Sequence, residues 1–324
     1  MTMVLKRNLE YWQISLKNPE AAVDEYYIFD EVIIEDKELI RKVERLRELI
    51  ISYCVMLEKD KKAAGEILNE IYEIIISNDK IQYTEFIAFW KALDMSFSVF
   101  KKLPNHKIIL AELLETYCLR RRQLYEKLGY SNVTVQALYD SGVSRKKGTA
   151  GIIKVLDLAS KILGLKENEH LRTIKEVENC NRGYFLPDKE DKKLFESFRE
   201  RFNIAYQFGK NHQGKKPDIV LKIGDHFFII EAKHIKESGG AQDKQIVETI
   251  EFIKYSENSE FIHYLSFVDG VYFNNFIWTP PENSSKVNRQ KEDIEKYLKE
   301  NPNNFFVNTA GLKEIFEDLS KNKI

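Results

Sequence analysis

Cysteine is scarce in this chain: Cys54, Cys118 and Cys180 are the only 3 among 324 residues. They lie far apart and form no C-x-x-C. Neither a disulfide framework nor a zinc site is therefore expected, and a reducing, cytoplasmic setting is. Long apolar runs are missing too. Nothing approaches the roughly 18 residues of a membrane span, and the first twenty residues lack the apolar segment and small-residue cleavage site of a signal peptide. Net charge is almost absent: 50 basic residues face 51 acidic ones, a balance of -1. Any polyanionic partner must then be held by local basic patches. There is no internal repeat and no low-complexity segment. What remains, 43% hydrophobic and 31% charged, is the composition of a globular protein long enough for one large domain or two ordinary ones.

Residues 1 to about 185 read as mostly helical. "KELIRKVERLRELIISYCVML", "AAGEILNEIYEIII" and "KIILAELLETYCLRRRQLYEKLG" repeat apolar residues at three- and four-residue steps, the pattern of helices that bury one face. Beyond about 185 the texture changes. An amphipathic helix in "LPDKEDKKLFESFRERF" precedes four β-rich runs, "DIVLKI", "HFFIIEA", "FIHYLSFV" and "VYFNNFIW". The helix "AQDKQIVETIEFIKY" separates the second run from the third, and "AGLKEIFEDLSK" closes the chain. The expected fold is an α/β core with a mixed sheet flanked by helices over 186–324, preceded by a helical region over 1–185.

The run "KKPDIVLKIGDHFFIIEAK" places two carboxylates and an ammonium in a segment otherwise built for burial. Gly224-Asp225 suits a two-residue hairpin turn, because Gly accepts the positive φ of the primed turn types. Pairing then runs outward with indices summing to 449, from Ile223 and His226. Asp218 falls opposite Glu231, with Cβ atoms about 5 Å apart. Strand alternation puts Lys233, Val220, Phe227 and Ile229 on that face, and Ile219, Leu221, Ile223, Phe228 and Ile230 on the other. Two carboxylates this close in a half-apolar site repel unless a cation intervenes. Oxygen ligands with water suit Mg²⁺, and a lysine beside the metal can hold the attacking water and offset charge on a phosphate.

Pro217-Asp218, then thirteen residues later Glu231-Ala232-Lys233, resembles the PD-(D/E)XK signature of nucleases. The continuation "HIKESGGAQDKQIVETIEFI" is similar to type II restriction endonucleases, many of which follow the E-x-K strand with a Gly-Gly-x-Gln loop and a helix. "YLSFVDGVYFN" and "FFVNTAGLKEIF" look like the closing strand and helix of such enzymes, so the resemblance spans about 186–324. It implies that Asp218, Glu231 and the Ala232 carbonyl are Mg²⁺ ligands and that Lys233 activates or positions water. Relatives often add an acid from the preceding helix, where Glu196 and Glu200 share a face. Gln242, on the stripe of Ile246, Ile250 and Ile253, or Gln245 would sit in the first turn of the next helix, a place suited to phosphate.

A second informative stretch holds Arg120, Arg121, Arg122, Lys127, Arg145, Lys146 and Lys147 against Glu126 and Asp140, a local excess suited to a phosphate backbone. "SRKKGTAG" joins Ser144, Arg145, Lys146 and Lys147 to a helix start, where backbone amides can take phosphate and Arg145 can fork onto guanine. The loop resembles an "SRKxRxG" segment that some restriction enzymes place before a helix bearing a Glu. Lys154 stands at that Glu's place, so this helix is expected to supply no metal ligand. Lys215 and Lys216 add positive charge beside the hairpin.

The resulting expectation is a type II restriction endonuclease: Mg²⁺-dependent, sequence-specific hydrolysis of double-stranded DNA, with a homodimer matching a palindromic site and no membrane role. Two alternatives stand beside it. One is a repair or recombination nuclease with the same core that recognises DNA structure; the other is a non-catalytic DNA-binding regulator with a decayed core.

Overall fold

The structure is a computed structural model that describes residues 5–27, 33–93, 95–128, 132–142, 150–206, 216–235, 240–280 and 285–321. The chain forms two compact units, one of Phe29–Lys146 and one of Met1–Ile28 with Lys147–Ile324. The division thus falls elsewhere than at the change of sequence texture near 185. The helix Ala150–Leu163 shows why. Its Ile152, Val155, Leu158 and Ala159 are buried in one cluster with Leu221, Phe228 and Phe267 of the sheet. At the other end of the chain Asn8–Lys17 brings Tyr11 and Trp12 into the same unit, both 0% exposed.

Five strands make the sheet of this unit: β1 (Arg182–Phe185), β2 (Ile219–Ile223), β3 (His226–His234), β4 (Ile262–Asp269) and β5 (Phe305–Val307). Their spatial order is their chain order. β1, β2 and β3 pair antiparallel, while β3–β4 and β4–β5 are parallel. The parallel steps require crossovers, and the helices Gly240–Phe252 and Lys286–Glu300 lie within them. The sheet is therefore mixed and covered on both faces. One face, with Ile219, Leu221, Ile223, Phe228 and Ile230, packs on Ala150–Leu163 and Thr309–Lys321. The opposite face, with Val220, Phe227 and Ile229, packs on Phe195 and Phe198 of the helix Lys192–Phe202. These two sets are those that alternation along the hairpin predicts.

Two elements differ from expectation. β1 has only four residues beside a helix start and gives no strand signal of its own; it exists because β2 offers it an edge. "VYFNNFIW" is no strand: Val271–Asn274 is a 3₁₀ turn and Asn275–Trp278 one helical turn. Gly270, at φ +92°, breaks the chain direction after β4, and Tyr272, Phe273 and Phe276 bury their rings from helical spacing instead.

Among its described residues the Phe29–Lys146 unit holds helices and no strand, with α-helices at Lys37–Lys59, Lys61–Ser77, Glu85–Ala92, Phe97–Phe100, His106–Arg120, Arg122–Leu128 and Asn132–Gly142. Asp36 and Asp60 cap two of these helices by accepting N–H bonds in the first turn. Leu46, Ile71, Trp90, Phe100, Leu110 and Leu114 form its core. Contrary to expectation, Cys54 and Cys118 are joined as a disulfide, with Cα atoms 6.2 Å apart and 64 positions separating them in sequence. Two helices from distant parts of the chain bring them together, which spacing alone cannot show. Among the described residues no helix is long and apolar enough to cross a membrane.

Candidate functional site

The hairpin that carries Asp218, Glu231 and Lys233 closes as its sequence dictates. Gly224 takes φ +60° in the two-residue turn, and pairing runs from Ile223↔His226 to Ile219↔Ile230, each pair summing to 449. The regular ladder stops there. Pro217 has no N–H to continue it, and the Asp218 N–H donates instead to the Ile230 carbonyl at 3.0 Å. Asp218 is therefore not ladder-paired with Glu231. Its carboxylate swings to the next step of β3, where Oδ2 accepts the Ala232 N–H at 2.9 Å.

Asp218 and Glu231 are 5% and 6% exposed. Buried carboxylates need partners, and the structure provides them within the motif itself. Lys233 Nζ donates to Glu231 Oε1 at 2.5 Å and lies 3.6 Å from Glu248 Oε2 on the helix Gly240–Phe252. Lys233 is thus the ammonium that meets the Glu231 carboxylate.

The other expected residues fare differently. Glu196 is on the helix preceding the hairpin, but it is exposed and its carboxylate takes Lys216 at 2.7 Å. That ammonium holds the Glu196 carboxyl below its usual range. Lys216 also donates to the Lys192 carbonyl, so it ties the hairpin entry to that helix. Glu200 is exposed and Gln245 half-buried. Gln242 belongs to the first turn of Gly240–Phe252, and Ile246, Ile250 and Ile253 of its stripe are buried as expected; its side chain lies outside the described residues. Arg120, Arg121 and Lys127 are exposed in the helical unit. Ser144, Arg145, Lys146, Lys147 and Lys215 lie outside the described residues.

On the sheet face away from the hairpin acids is a second charged group that the sequence reading missed. Lys154, only 3% exposed, contacts Asp24 Oδ2 at 2.5 Å, Asp269 Oδ1 at 2.9 Å and Glu20 Oε2 at 3.9 Å. The three acids carry oxygens within 4.8 Å of one another, a spacing that could hold a metal ion; the Lys154 ammonium supplies positive charge there. Glu20, Asp24 and Lys154 also line an open cavity of about 670 Å³. Burial pushes the Glu20 carboxyl up to about 7, with the Asp269 charge adding to it. Burial acts the same way on Asp269, but His234, Lys154 and Tyr27 outweigh it and hold its carboxyl well below the usual range. Burial opposes the charge on Lys154, yet Asp269 and Asp24 prevail and raise its pKa. Tyr27 donates to Asp269 at 2.6 Å and stacks on His234 with centroids 3.5 Å apart. Glu20 takes the Thr309 N–H at 2.6 Å and its hydroxyl at 3.0 Å. The group ties the N-terminal segment to β4 and to two helices. In the sequence, Lys154 marks only a helix expected to supply no metal ligand.

No family model matches the chain, and no curated protein or solved structure matches it either.

Proposed function

We propose that this chain is a Mg²⁺-dependent endodeoxyribonuclease of the PD-(D/E)XK kind, acting on double-stranded DNA as a type II restriction endonuclease. One observation carries the reading. The hairpin brings a buried Asp218 carboxylate onto the Ala232 N–H, beside the buried Glu231–Lys233 ion pair. The donor set fits a hard divalent ion: two carboxylates and a neighbouring backbone carbonyl, oxygen only. Asp218, Glu231 and the Ala232 carbonyl would hold Mg²⁺, which supplies Lewis-acid compensation for charge on the phosphate. Asp218 is fixed for this by the Ala232 N–H, and Glu231 by its place in β3. Lys233 presents an ammonium that can orient a water and offset charge at the scissile phosphate. Its half-buried surroundings strengthen that interaction. The exposed arginines of the helical unit, Arg120 and Arg121, fit contacts to the DNA backbone, and a two-fold target site would call for a homodimer.

The test is digestion of supercoiled plasmid and of branched synthetic DNA by the full-length protein with Mg²⁺. Discrete plasmid fragments are expected. Nicking confined to branched DNA would replace the restriction reading by a repair nuclease, and no cleavage of any DNA would leave a non-catalytic DNA-binding role.

A further inference from the structure

Lys233 has two carboxylates within reach, and they differ in kind. Glu231, at 2.5 Å, is buried in β3, whereas the Glu248 side chain, at 3.6 Å, is 41% exposed at the rim of the helix Gly240–Phe252. That helix is held firmly. Ile246 and Ile250 are buried under it, and the Thr249 carbonyl, next to Glu248, accepts the Ser266 hydroxyl of β4 at 2.7 Å. Glu248 is therefore presented by a packed element. A divalent cation and the Lys233 ammonium both draw on the one Glu231 carboxylate, so they compete unless the ammonium has somewhere else to go.

We infer that Glu248 is a positioning residue for Lys233: it takes the ammonium when Glu231 turns to a divalent cation, keeping the lysine at the site without competing for the metal ligand. The inference rests on the proposed nuclease reading in one respect, that Asp218 and Glu231 are the cation's ligands. Glu248 acts through Lys233 and touches no reacting atom.

The experiment is calorimetric titration of Mg²⁺ into the full-length protein without DNA, comparing wild type, Glu248→Gln, Lys233→Met and the double variant. Glu248→Gln is expected to weaken Mg²⁺ binding about tenfold, toward the lower end of typical site–site couplings. Lys233→Met removes the competitor and should not weaken binding, and adding Glu248→Gln to it should change nothing further, because the two residues act as one unit. An equal loss in both backgrounds would mean that Glu248 merely adds negative charge, and the inference fails. It fails as well if Glu248→Gln leaves the affinity unchanged. If wild type and Asp218→Asn bind Mg²⁺ alike, the ligand assignment itself is wrong, and that outcome is read independently of Glu248. Should Lys233→Met lose its melting transition, Lys233→Gln, which keeps a donor for Glu231, takes its place in the cycle.

Discussion

Replacing Lys154 by methionine should destabilise the sheet unit by about 3–5 kcal/mol, the range for breaking a buried ion pair by removing one partner. The methionine keeps the apolar stem, so the loss isolates the charge. At 2.9 Å from Asp269, the ammonium contributes roughly 6 kcal/mol of attraction at an effective dielectric near 20. Regained lysine solvation and the hydrogen bonds the acids keep offset part of this. Asp269 retains the Tyr27 hydroxyl at 2.6 Å and the Gly270 N–H at 2.8 Å. Glu20 retains Thr309. The remaining cost is that of two buried acids facing each other without a cation. Urea unfolding near neutral pH reads it. The chain has 3 tryptophans, so a Trp90→Phe background confines the fluorescence signal to Trp12 and Trp278 of the sheet unit. The deficit should narrow as pH falls and the stranded acids take up protons, and Glu20→Gln added to Lys154→Met should recover part of it. A loss below about 1 kcal/mol, the scale of an exposed pair, would refute the claim that Lys154 neutralises this group.

Two further outcomes follow from the same kind of reasoning. Glu20 has a folded-state pKa of about 7 against an ordinary 4.5, so between those values the folded chain binds more protons than the unfolded one and stability falls as pH rises; Glu20→Gln should flatten that stretch of the curve of urea midpoint against pH. Alkylation of the native protein should label Cys180 and spare Cys54 and Cys118; after reduction all three should react, and the helical unit should melt at a lower temperature, as loss of a cross-link requires.

How much was legible in the chain depended on range. The hairpin could be read because its determinants are local: alternation of apolar residues, Gly224 in the turn, and a proline at the entry. The same locality misled at one point. In the sequence Pro217 belongs to the Pro-Asp motif, yet it also ends the ladder, so Asp218 reaches Ala232 by its side chain rather than standing opposite Glu231 in the pairing. Helical periodicity says that a helix has a buried face and not what covers it. Ala150–Leu163 therefore looked like the helices before it, although it packs on the sheet. Glu248 and the Lys154 group escaped for a third reason. Glu20 with Asp24, Lys154, and Asp269 come from three separate segments of the chain, and an ion pair formed by topology leaves no spacing to recognise.

The proposed hydrolysis of phosphodiesters rests on Asp218, Glu231 and Lys233. Single-turnover cleavage of duplex DNA with Mg²⁺ tests it most directly, comparing wild type with Asp218→Asn, Glu231→Gln and Lys233→Met at matched melting behaviour. Wild type is expected to cleave, and each variant to lose at least about 100-fold, the scale of removing one group that stabilises transition-state charge. Wild-type rates in a folded Asp218→Asn or Glu231→Gln protein would contradict it.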